Sequence, residues 1–163
     1  MFNSIAIFWY EFLAQVNLRK GIIKKSNYWL ERAANKGSST AQCRLALRYY
    51  EGEGFPINHS KAVKLFLLAA EQNDMYGEAN LGSAYYEGRG VSQSFENSIY
   101  WYKRAANSGH PESMYNLGLM YADGLGTIED RTKAIEWLSK AANAGVIEAK
   151  EALTNKKGVG DKW

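Results

Sequence analysis

The sequence predicts an all-α fold: an α-α superhelix, that is, a right-handed solenoid of antiparallel helix pairs with a period of 36 residues. Three sets of residues recur at this period. An alanine pair occurs at Ala33-Ala34, Ala69-Ala70, Ala105-Ala106 and Ala141-Ala142. A Gly-x-Gly element occurs at Gly52/Gly54, Gly88/Gly90 and Gly124/Gly126, and a leucine column holds Leu45, Leu81, Leu117 and Leu153. Because independent columns share one period, the chain is predicted to consist of repeats.

The second half of each repeat has the pattern of an amphipathic helix, with apolar or small residues at i, i+3, i+4, i+7 and i+8. One example is the set Ala62, Leu65, Phe66, Ala69 and Ala70. The residue before each such helix can accept hydrogen bonds from free backbone N–H groups, and we interpret Asn58, Ser94 and Asp130 as N-caps. The predicted helices cover 26–36, 58–72, 94–108 and 130–144.

The first half of each repeat is also predicted to be helical, over 38–51, 74–87 and 110–123, with a last helix at 146–154. These helices begin after Ser38, Asp74 or His110 and end at the first glycine of each pair, since glycine readily adopts a positive φ. His110 is therefore interpreted as a helix-start residue rather than a catalytic base. The Gly-x-Gly elements follow helical patterns, so a phosphate-binding loop, which follows a strand, is not predicted.

An apolar segment at residues 4–16 is predicted to form a helix that caps the array. When the segment is aligned with the next repeat, 36 residues later, Trp9 corresponds to Leu45 and Leu13 corresponds to Tyr49. Some of its large apolar residues are expected to stay exposed and form a self-association or partner surface: Ile5, Ile7, Phe8, Trp9 and Phe12. The segment is shorter than the roughly 20 residues of a membrane span. A signal peptide stays open as an alternative, although no Lys or Arg precedes Arg19.

We expect a single domain over 1–163. It comprises a degenerate N-terminal capping repeat (1–37), full repeats at 38–73, 74–109 and 110–145, a C-terminal capping helix at 146–154 and a tail at 155–163. A net charge of +3 is too small and too scattered to indicate nucleic-acid binding. Cys43 is the single cysteine, which favours a reducing compartment. A cytoplasmic location is therefore predicted, with a secreted or periplasmic one as the alternative.

Two stretches, LGSAY at 81–85 and LGLMY at 117–121, match the L-G-x-x-Y core of tetratricopeptide-like repeats. With the 36-residue period and the Gly-x-Gly turn, the chain resembles the Sel-1-like repeat family over about residues 22–153. Three residues depart from the family pattern. Asn73 replaces the glycine that closes the repeat, Leu65 replaces the tryptophan of the second helix, and Ala46 replaces the glycine of the first helix. These departures predict slightly altered packing in the first full repeat.

The resemblance implies a non-catalytic protein-binding module, either an adaptor or scaffold or a partner-specific inhibitor such as an immunity protein. It implies neither a catalytic motif nor a cofactor. The sequence has no Ser/His/Asp set and no metal-spaced Cys/His cluster, and His59 and His110 are its only histidines. The alternative is a small-ligand-binding or hydrolytic protein that uses the concave groove as a pocket, although three full repeats make an open arc.

By resemblance, the first helices line the concave face. Stepping 100° per residue around each first helix separates an apolar arc from an outward arc of mixed polar and apolar residues. Within that arc we predict these partner-binding residues: Arg44, Arg48, Tyr76, Asn80, Glu87, Glu112, Asn116 and Met120. An extended segment or loop of another protein is the expected ligand. The alternative is a merely solvated face.

Overall fold

The computed structural model describes residues 2–154, which form nine α-helices and no strand. In chain order they are α1 (Phe2–Arg19), α2 (Ile23–Asn35), α3 (Ser39–Glu51), α4 (His59–Ala70), α5 (Met75–Glu87), α6 (Phe95–Asn107), α7 (Pro111–Asp123), α8 (Arg131–Asn143) and α9 (Ile147–Thr154). The prediction of an all-α fold with repeated helix pairs is confirmed. Two helices are longer than predicted at their N-terminal ends, since α1 begins at Phe2 and α2 at Ile23. The predicted tail at 155–163 lies outside the described residues.

The helices form two compact units. The N-terminal unit comprises Met1–Gly77 and Arg89–Val91, and the C-terminal unit comprises Glu78–Gly88 and Ser92–Trp163. In the N-terminal unit α1 packs on α2, α2 on α3 and α3 on α4, and in the C-terminal unit α6 packs on α7, α7 on α8 and α8 on α9. The first alanine of every Ala-Ala pair is fully buried. No helix within residues 2–154 is both long and apolar enough to cross a membrane.

The three predicted N-caps are confirmed: Asn58, Ser94 and Asp130. Each side chain accepts a hydrogen bond from the backbone N–H three residues later. The backbone N–H of each capping residue also donates to a tyrosine carbonyl at the end of the preceding helix, in Tyr49, Tyr85 and Tyr121, at 2.8, 3.0 and 2.9 Å. One residue therefore ends the loop and begins the next helix.

The second helix of each repeat ends in a turn with positive φ. This position holds Gly37, Gly109 and Gly145, with φ of 92°, 95° and 103°, and Asn73, with φ of 60°. Asparagine adopts this left-handed conformation more readily than most residues with a side chain. The departure at Asn73 therefore keeps the same turn: its N–H donates to the Ala70 carbonyl at 3.0 Å, as that of Gly109 does to Ala106 at 3.0 Å.

The predicted N-terminal helix exists, and the expectation that some of its large apolar residues stay exposed is confirmed. Trp9 is 53% exposed, whereas Leu45 is 4% exposed. The reason is that α3 packs against both α2 and α4, while the main helix partner of α1 is α2. An apolar stripe on α1 therefore stays about half exposed, and we call it the α1 stripe: Ile5, Phe8, Trp9 and Phe12. Ile7 is partly buried.

The second glycine of each pair contacts the start of the second helix in the preceding repeat. A Cβ atom at Gly54 would lie 2.6 Å from the Ile23 side chain, and one at Gly90 would lie 2.4 Å from the His59 carbonyl oxygen. At Gly126 it would lie 2.4 Å from the Phe95 carbonyl carbon. Backbone atoms at a helix start cannot move aside easily. Gly90 and Gly126 are therefore required by close approach to backbone as well as by φ, whereas Gly54 is opposed by side-chain atoms of Ile23 and Asn27.

We predict that Gly126→Ala destabilises the protein far more than Gly109→Ala. Both glycines have positive φ, at 70° and 95°, so either alanine incurs a backbone cost of about 1–2 kcal/mol. Nothing lies within 4 Å of a Cβ at Gly109, whereas at Gly126 the collision with the α6 backbone adds about 1–3 kcal/mol. Denaturant unfolding of the two variants measures the difference, and equal free energies of unfolding would contradict the contact.

Candidate functional site

The eight predicted site residues lie on the three first helices α3, α5 and α7. Four are exposed: Arg44, Tyr76, Glu87 and Glu112. Asn80 and Asn116 are partly buried, the Arg48 side chain is 12% exposed, and Met120 is 2% exposed. The exposed face of the first helices is therefore narrower than the outward arc predicted from the sequence.

The prediction that Met120 is available to a partner is wrong. Its sulfur atom lies 3.7 Å from the Ser98 hydroxyl oxygen, inside a core cluster that also contains Leu117. Ala84, one period earlier in the same column, is fully buried as well. The physical reason is that α7 packs against both α6 and α8, and Met120 lies in the core between them. The i, i+3 apolar pair of Leu117 and Met120 was the sequence signal for this burial.

In the N-terminal unit, a cavity of about 330 Å³ lies between α1, α2 and α3, and we call it the N-terminal cavity. Its lining includes Arg44, Leu47, Arg48 and Glu51 from α3, together with Glu53 from the following turn. Helices α1 and α2 contribute mainly small or apolar surface, from residues such as Ala14 and Leu30. Two cations and two carboxylates thus surround an apolar floor.

Arg48 is held inside this cavity by an ion pair between its guanidinium and the Glu53 carboxylate. Burial lowers the pKa of the Arg48 guanidinium, and the Glu51 carboxylate opposes that shift. Arginine stays protonated in proteins despite such shifts. The buried cation is therefore matched by carboxylates of its own unit, and Arg44 is the exposed cation that faces solvent.

In the C-terminal unit, a cavity of about 290 Å³ lies between α5, α6 and α7, and we call it the C-terminal cavity. Its α7 residues occupy the same repeat columns as the α3 residues of the N-terminal cavity: Asn116, Leu119, Met120 and Asp123. Helix α5 adds Ser83, Tyr86 and Glu87. Among the predicted residues, Glu87, Asn116 and the buried Met120 therefore meet in this cavity.

Tyr102 of α6 forms the back of the C-terminal cavity, and its ring packs directly on Gly82. Burial raises the pKa of Tyr102 to about 12, while hydrogen bonds with the Ser83 and Asn116 side chains lower it by less. The phenol is therefore neutral at physiological pH. A neutral hydroxyl group joins α5, α6 and α7 at the base of the cavity.

Sequence reasoning missed Tyr102, Leu125 and Glu53 as cavity residues, because it considered the first helices alone. Nothing in the spacing of Tyr102 within α6 distinguishes it from an ordinary core residue. Conversely, Tyr76, Asn80 and Glu112 line neither of these two cavities. Within residues 2–154, no group of three His, Cys, Asp or Glu side chains could hold a metal ion.

His110 caps the N-terminus of α7, as its interpretation as a helix-start residue predicts. Its Nδ1 atom accepts a hydrogen bond from the Ser113 backbone N–H at 3.2 Å. Burial lowers the pKa of His110, and the Glu112 carboxylate, 3.6 Å away and largely exposed, raises it by less. The neutral imidazole is therefore the form that suits the folded chain, since a protonated Nδ1 cannot accept.

A family model described as Sel1 repeat matches residues 23–38, 39–74, 76–110 and 111–146. The first match covers α2, and none of the four matches includes α1. No curated protein matches the sequence.

Three solved structures with similar folds come from bacteria. One is a protective antigen of uropathogenic Escherichia coli with an SLR fold. It is 35% identical in sequence, with a TM-score of 0.79, and the alignment covers 81% of this chain. The chain spans 28% of the length of that protein. A Sel1 repeat protein from Oxalobacter formigenes is 40% identical with a TM-score of 0.70, covering 76% of this chain and 93% of the other. Helicobacter pylori cysteine rich protein B shares the fold. It is 20% identical in sequence, with a TM-score of 0.66, and the alignment covers 80% of this chain and 96% of that protein.

We predict that His110 makes stability pH-dependent in mildly acidic solution. Its pKa is lower in the folded chain than in the unfolded chain, so the unfolded chain takes up the proton first. The stability contributed by the neutral cap is present above about pH 6.5 and is lost as the pH falls toward the folded pKa. His110→Asn keeps an N-cap that does not titrate. Unfolding free energies between about pH 7.5 and 5.5 should fall more steeply for wild type than for this variant, and parallel curves would contradict the role.

Proposed function

Because the chain belongs to the Sel1 repeat family, we propose that it is a non-catalytic protein-binding module whose first helices bind a partner protein. Sel1 repeats are generally protein-interaction modules. The module would act as an adaptor or scaffold, or as an inhibitor of one specific partner. Its ligand is a segment or loop of another protein, and each unit offers a site for side chains of that segment.

One observation carries this proposal: the cavities of the two units use the same columns of the repeat. Positions 44, 47, 48 and 51 on α3 correspond to positions 116, 119, 120 and 123 on α7. In both units an apolar residue, Leu47 or Leu119, lies beside exposed charged groups at the rim. An apolar floor with a polar rim is the usual composition of a protein-binding site.

The size of the cavities favours partner side chains over a small-molecule substrate. Their volumes, about 330 and 290 Å³, lie at the lower limit for pockets that enclose drug-sized ligands. Arg44 and Glu51 on one rim, and Glu87 and Asp123 on the other, are exposed to solvent. An extended segment could insert single side chains into such openings while its backbone stays outside.

Arg44→Ala and Tyr76→Ala are predicted to weaken partner binding by about 1–3 kcal/mol each, because Arg and Tyr combine a large contact area with a polar end. Both residues are exposed, so stability should change by roughly half a kcal/mol or less. Titration calorimetry with a partner isolated by affinity capture measures the effect. Asn116→Ala is a less specific probe, since it also removes a hydrogen bond to Tyr102.

Matched controls for these variants lie on second helices. Tyr100 on α6 is 54% exposed, against 56% for Tyr76, and Arg131 on α8 is exposed like Arg44. Tyr100→Ala and Arg131→Ala should leave binding unchanged. If they abolish binding while the first-helix variants bind like wild type, the partner docks on the second helices and the proposed face is wrong.

A separate observation, the α1 stripe, supports self-association. Ile5, Phe8, Trp9 and Phe12 follow i, i+3, i+4, i+7 spacing, and each is about half exposed. A contiguous aromatic stripe of this kind is favoured as an interface because a second copy can present the same stripe.

The double variant Phe8→Glu/Phe12→Glu should remain monomeric, while the wild-type sedimentation coefficient rises with protein concentration. Charges placed on both sides of a self-complementary interface repel each other. Tyr100→Glu introduces a charge at an exposed aromatic residue elsewhere, and should sediment like wild type. A wild-type chain that is monomeric at every concentration would contradict the role of the stripe.

A further inference from the structure

The α1 stripe continues into a basic end of the same helix. Counting 100° per residue, Val16 and Arg19 lie within about 40° of Ile5 around the axis of α1. Val16 is partly buried, and Arg19, the last residue of the helix, is exposed. The outward face of α1 is therefore aromatic and aliphatic over residues 5–12 and positively charged at its C-terminal end.

Three lysines extend this positive charge through the turn between α1 and α2. Lys20 follows α1 directly, and Lys24 and Lys25 lie in the first turn of α2. A cation at the start of a helix opposes the helix dipole, so the charges of these two lysines do not stabilise α2. We call the four exposed cations the basic turn: Arg19, Lys20, Lys24 and Lys25. None of them forms an ion pair with another residue of 2–154.

The acidic residues of the same segment are bonded to the interior, whereas its basic residues are exposed. Residues 1–37 contain six basic and two acidic residues, a net charge of +4, while the whole chain has +3. The six basic residues are exposed, and Glu11 and Glu31 are partly buried. The Ser38 hydroxyl donates to the Glu11 carboxylate, and the Tyr49 hydroxyl donates to that of Glu31 at 3.1 Å. The net positive charge of the chain is therefore presented to solvent by this one segment.

A second copy of the chain complements only part of this surface. In a symmetric contact α1 meets α1, and the single acidic residue of α1 is Glu11, which is bonded to Ser38. The copy would therefore cover the α1 stripe but offer no opposite charge to the basic turn. Nucleic acid offers phosphates but no apolar phase for Phe8, Trp9 and Phe12. A bilayer with anionic headgroups offers both, since amphipathic helices bury their apolar face at the boundary between headgroups and acyl chains.

We infer that α1 lies on an anionic membrane surface, with the α1 stripe inserted at the interface and the basic turn on the lipid headgroups. The two surfaces belong to one helix and the turn that follows it, so they reach the interface together. The opposite side of α1 stays packed on α2, so binding requires no unfolding. Lipid and a second copy compete for the α1 stripe. This inference does not rest on the partner-binding face of the first helices.

Sedimentation of the full chain with vesicles tests the membrane surface directly. Vesicles of phosphatidylcholine alone are compared with vesicles that also contain phosphatidylglycerol, an anionic lipid. Binding to the anionic vesicles should be saturable, about tenfold tighter than to the neutral ones, and weaker at higher salt. Equal binding to the two kinds of vesicle, or binding to neither, would overturn the inference. A chain that self-associates yet binds no vesicle has a second copy as the occupant of the α1 stripe.

Quenching of Trp9 fluorescence tests whether the α1 stripe enters the bilayer. Anionic vesicles with brominated acyl chains quench a tryptophan side chain that reaches those chains. Part of the wild-type emission should be quenched that the Trp9→Phe variant lacks, because Trp9 is 53% exposed on the stripe. Equal quenching in the two proteins would show that the stripe is not inserted.

Two lysine double variants test the basic turn. Lys24→Gln/Lys25→Gln should weaken binding to anionic vesicles about tenfold, since each basic residue near such a surface adds to the attraction. The matched control, Lys64→Gln/Lys103→Gln, removes two exposed lysines from second helices and lowers the net charge equally. It should bind like wild type. Equal losses in the two double variants would show a general effect of charge and contradict the basic turn.

The apolar part of the surface has its own pair of variants. Phe8→Glu/Phe12→Glu should abolish vesicle binding, because the inserted face becomes charged. Leu67→Glu/Leu68→Glu places the same charges on α4, at leucines that are 40% and 46% exposed, and should bind like wild type. A phenylalanine double variant that binds vesicles like wild type would contradict insertion of the α1 stripe.

Membrane binding and self-association are distinguished by the Lys24→Gln/Lys25→Gln variant. It keeps the α1 stripe, so its sedimentation coefficient without lipid should rise with protein concentration as that of wild type does, while its vesicle affinity falls. Loss of both properties together would show that the vesicles select the associated form rather than an inserted helix, and would overturn the inference.

Discussion

The contact between the second glycine of each pair and the preceding repeat constrains the spacing of the helices. Gly54 lies against the start of α2, Gly90 against the start of α4 and Gly126 against the start of α6. In each case the distance leaves no room for a side chain at the glycine. The glycine backbone therefore contacts a side chain or the backbone of the neighbouring helix directly. Because this glycine lies three residues after the last residue of the first helix, the contact limits how far the turn stands from the neighbouring helix.

The position of the acidic residues at the cavity rims follows from this constraint. Each first helix ends with an acidic residue, Glu51, Glu87 or Asp123, directly before the first glycine of the pair. The loop then closes through the hydrogen bond from the N-cap N–H to the tyrosine carbonyl. The backbone of the acidic residue is thus fixed next to the turn. In each unit this turn borders a cavity between helices. In each unit these turns thus place charged side chains at the rim of an apolar recess.

Much of the fold could be predicted from the sequence, because its signals are local and repeat. N-caps such as Asn58 and closing glycines such as Gly109 act within one turn of chain, and the 36-residue period shows them several times. Burial of single positions was harder to predict. Met120 was assigned to the outward face because a 100° step divides a helix into halves, whereas α7 is covered on two sides. The exposure of several large α1 residues, Trp9 among them, was expected from the sequence, and it arises because α1 has fewer helix neighbours than α3. Tyr102 was missed because the contribution of a second helix to a cavity depends on how helices pack, which no local pattern records.

The chain separates the residues that build the repeat from those that distinguish one repeat from another. Glycines, caps and alanine pairs are kept because changing them collides with backbone or leaves N–H groups unpaired. The columns at 44 and 48 vary between repeats, although the second is buried in α5 and α7: two arginines in α3, Asn80 and Ala84 in α5, Asn116 and Met120 in α7. In the N-terminal cavity Arg48 pairs with Glu53, whereas the lining of the C-terminal cavity contributes carboxylates without a basic residue. Two recesses of similar size and equivalent position therefore differ in charge. Under the proposed function, such a difference would favour different partner side chains at the two recesses, since like charges repel across an interface.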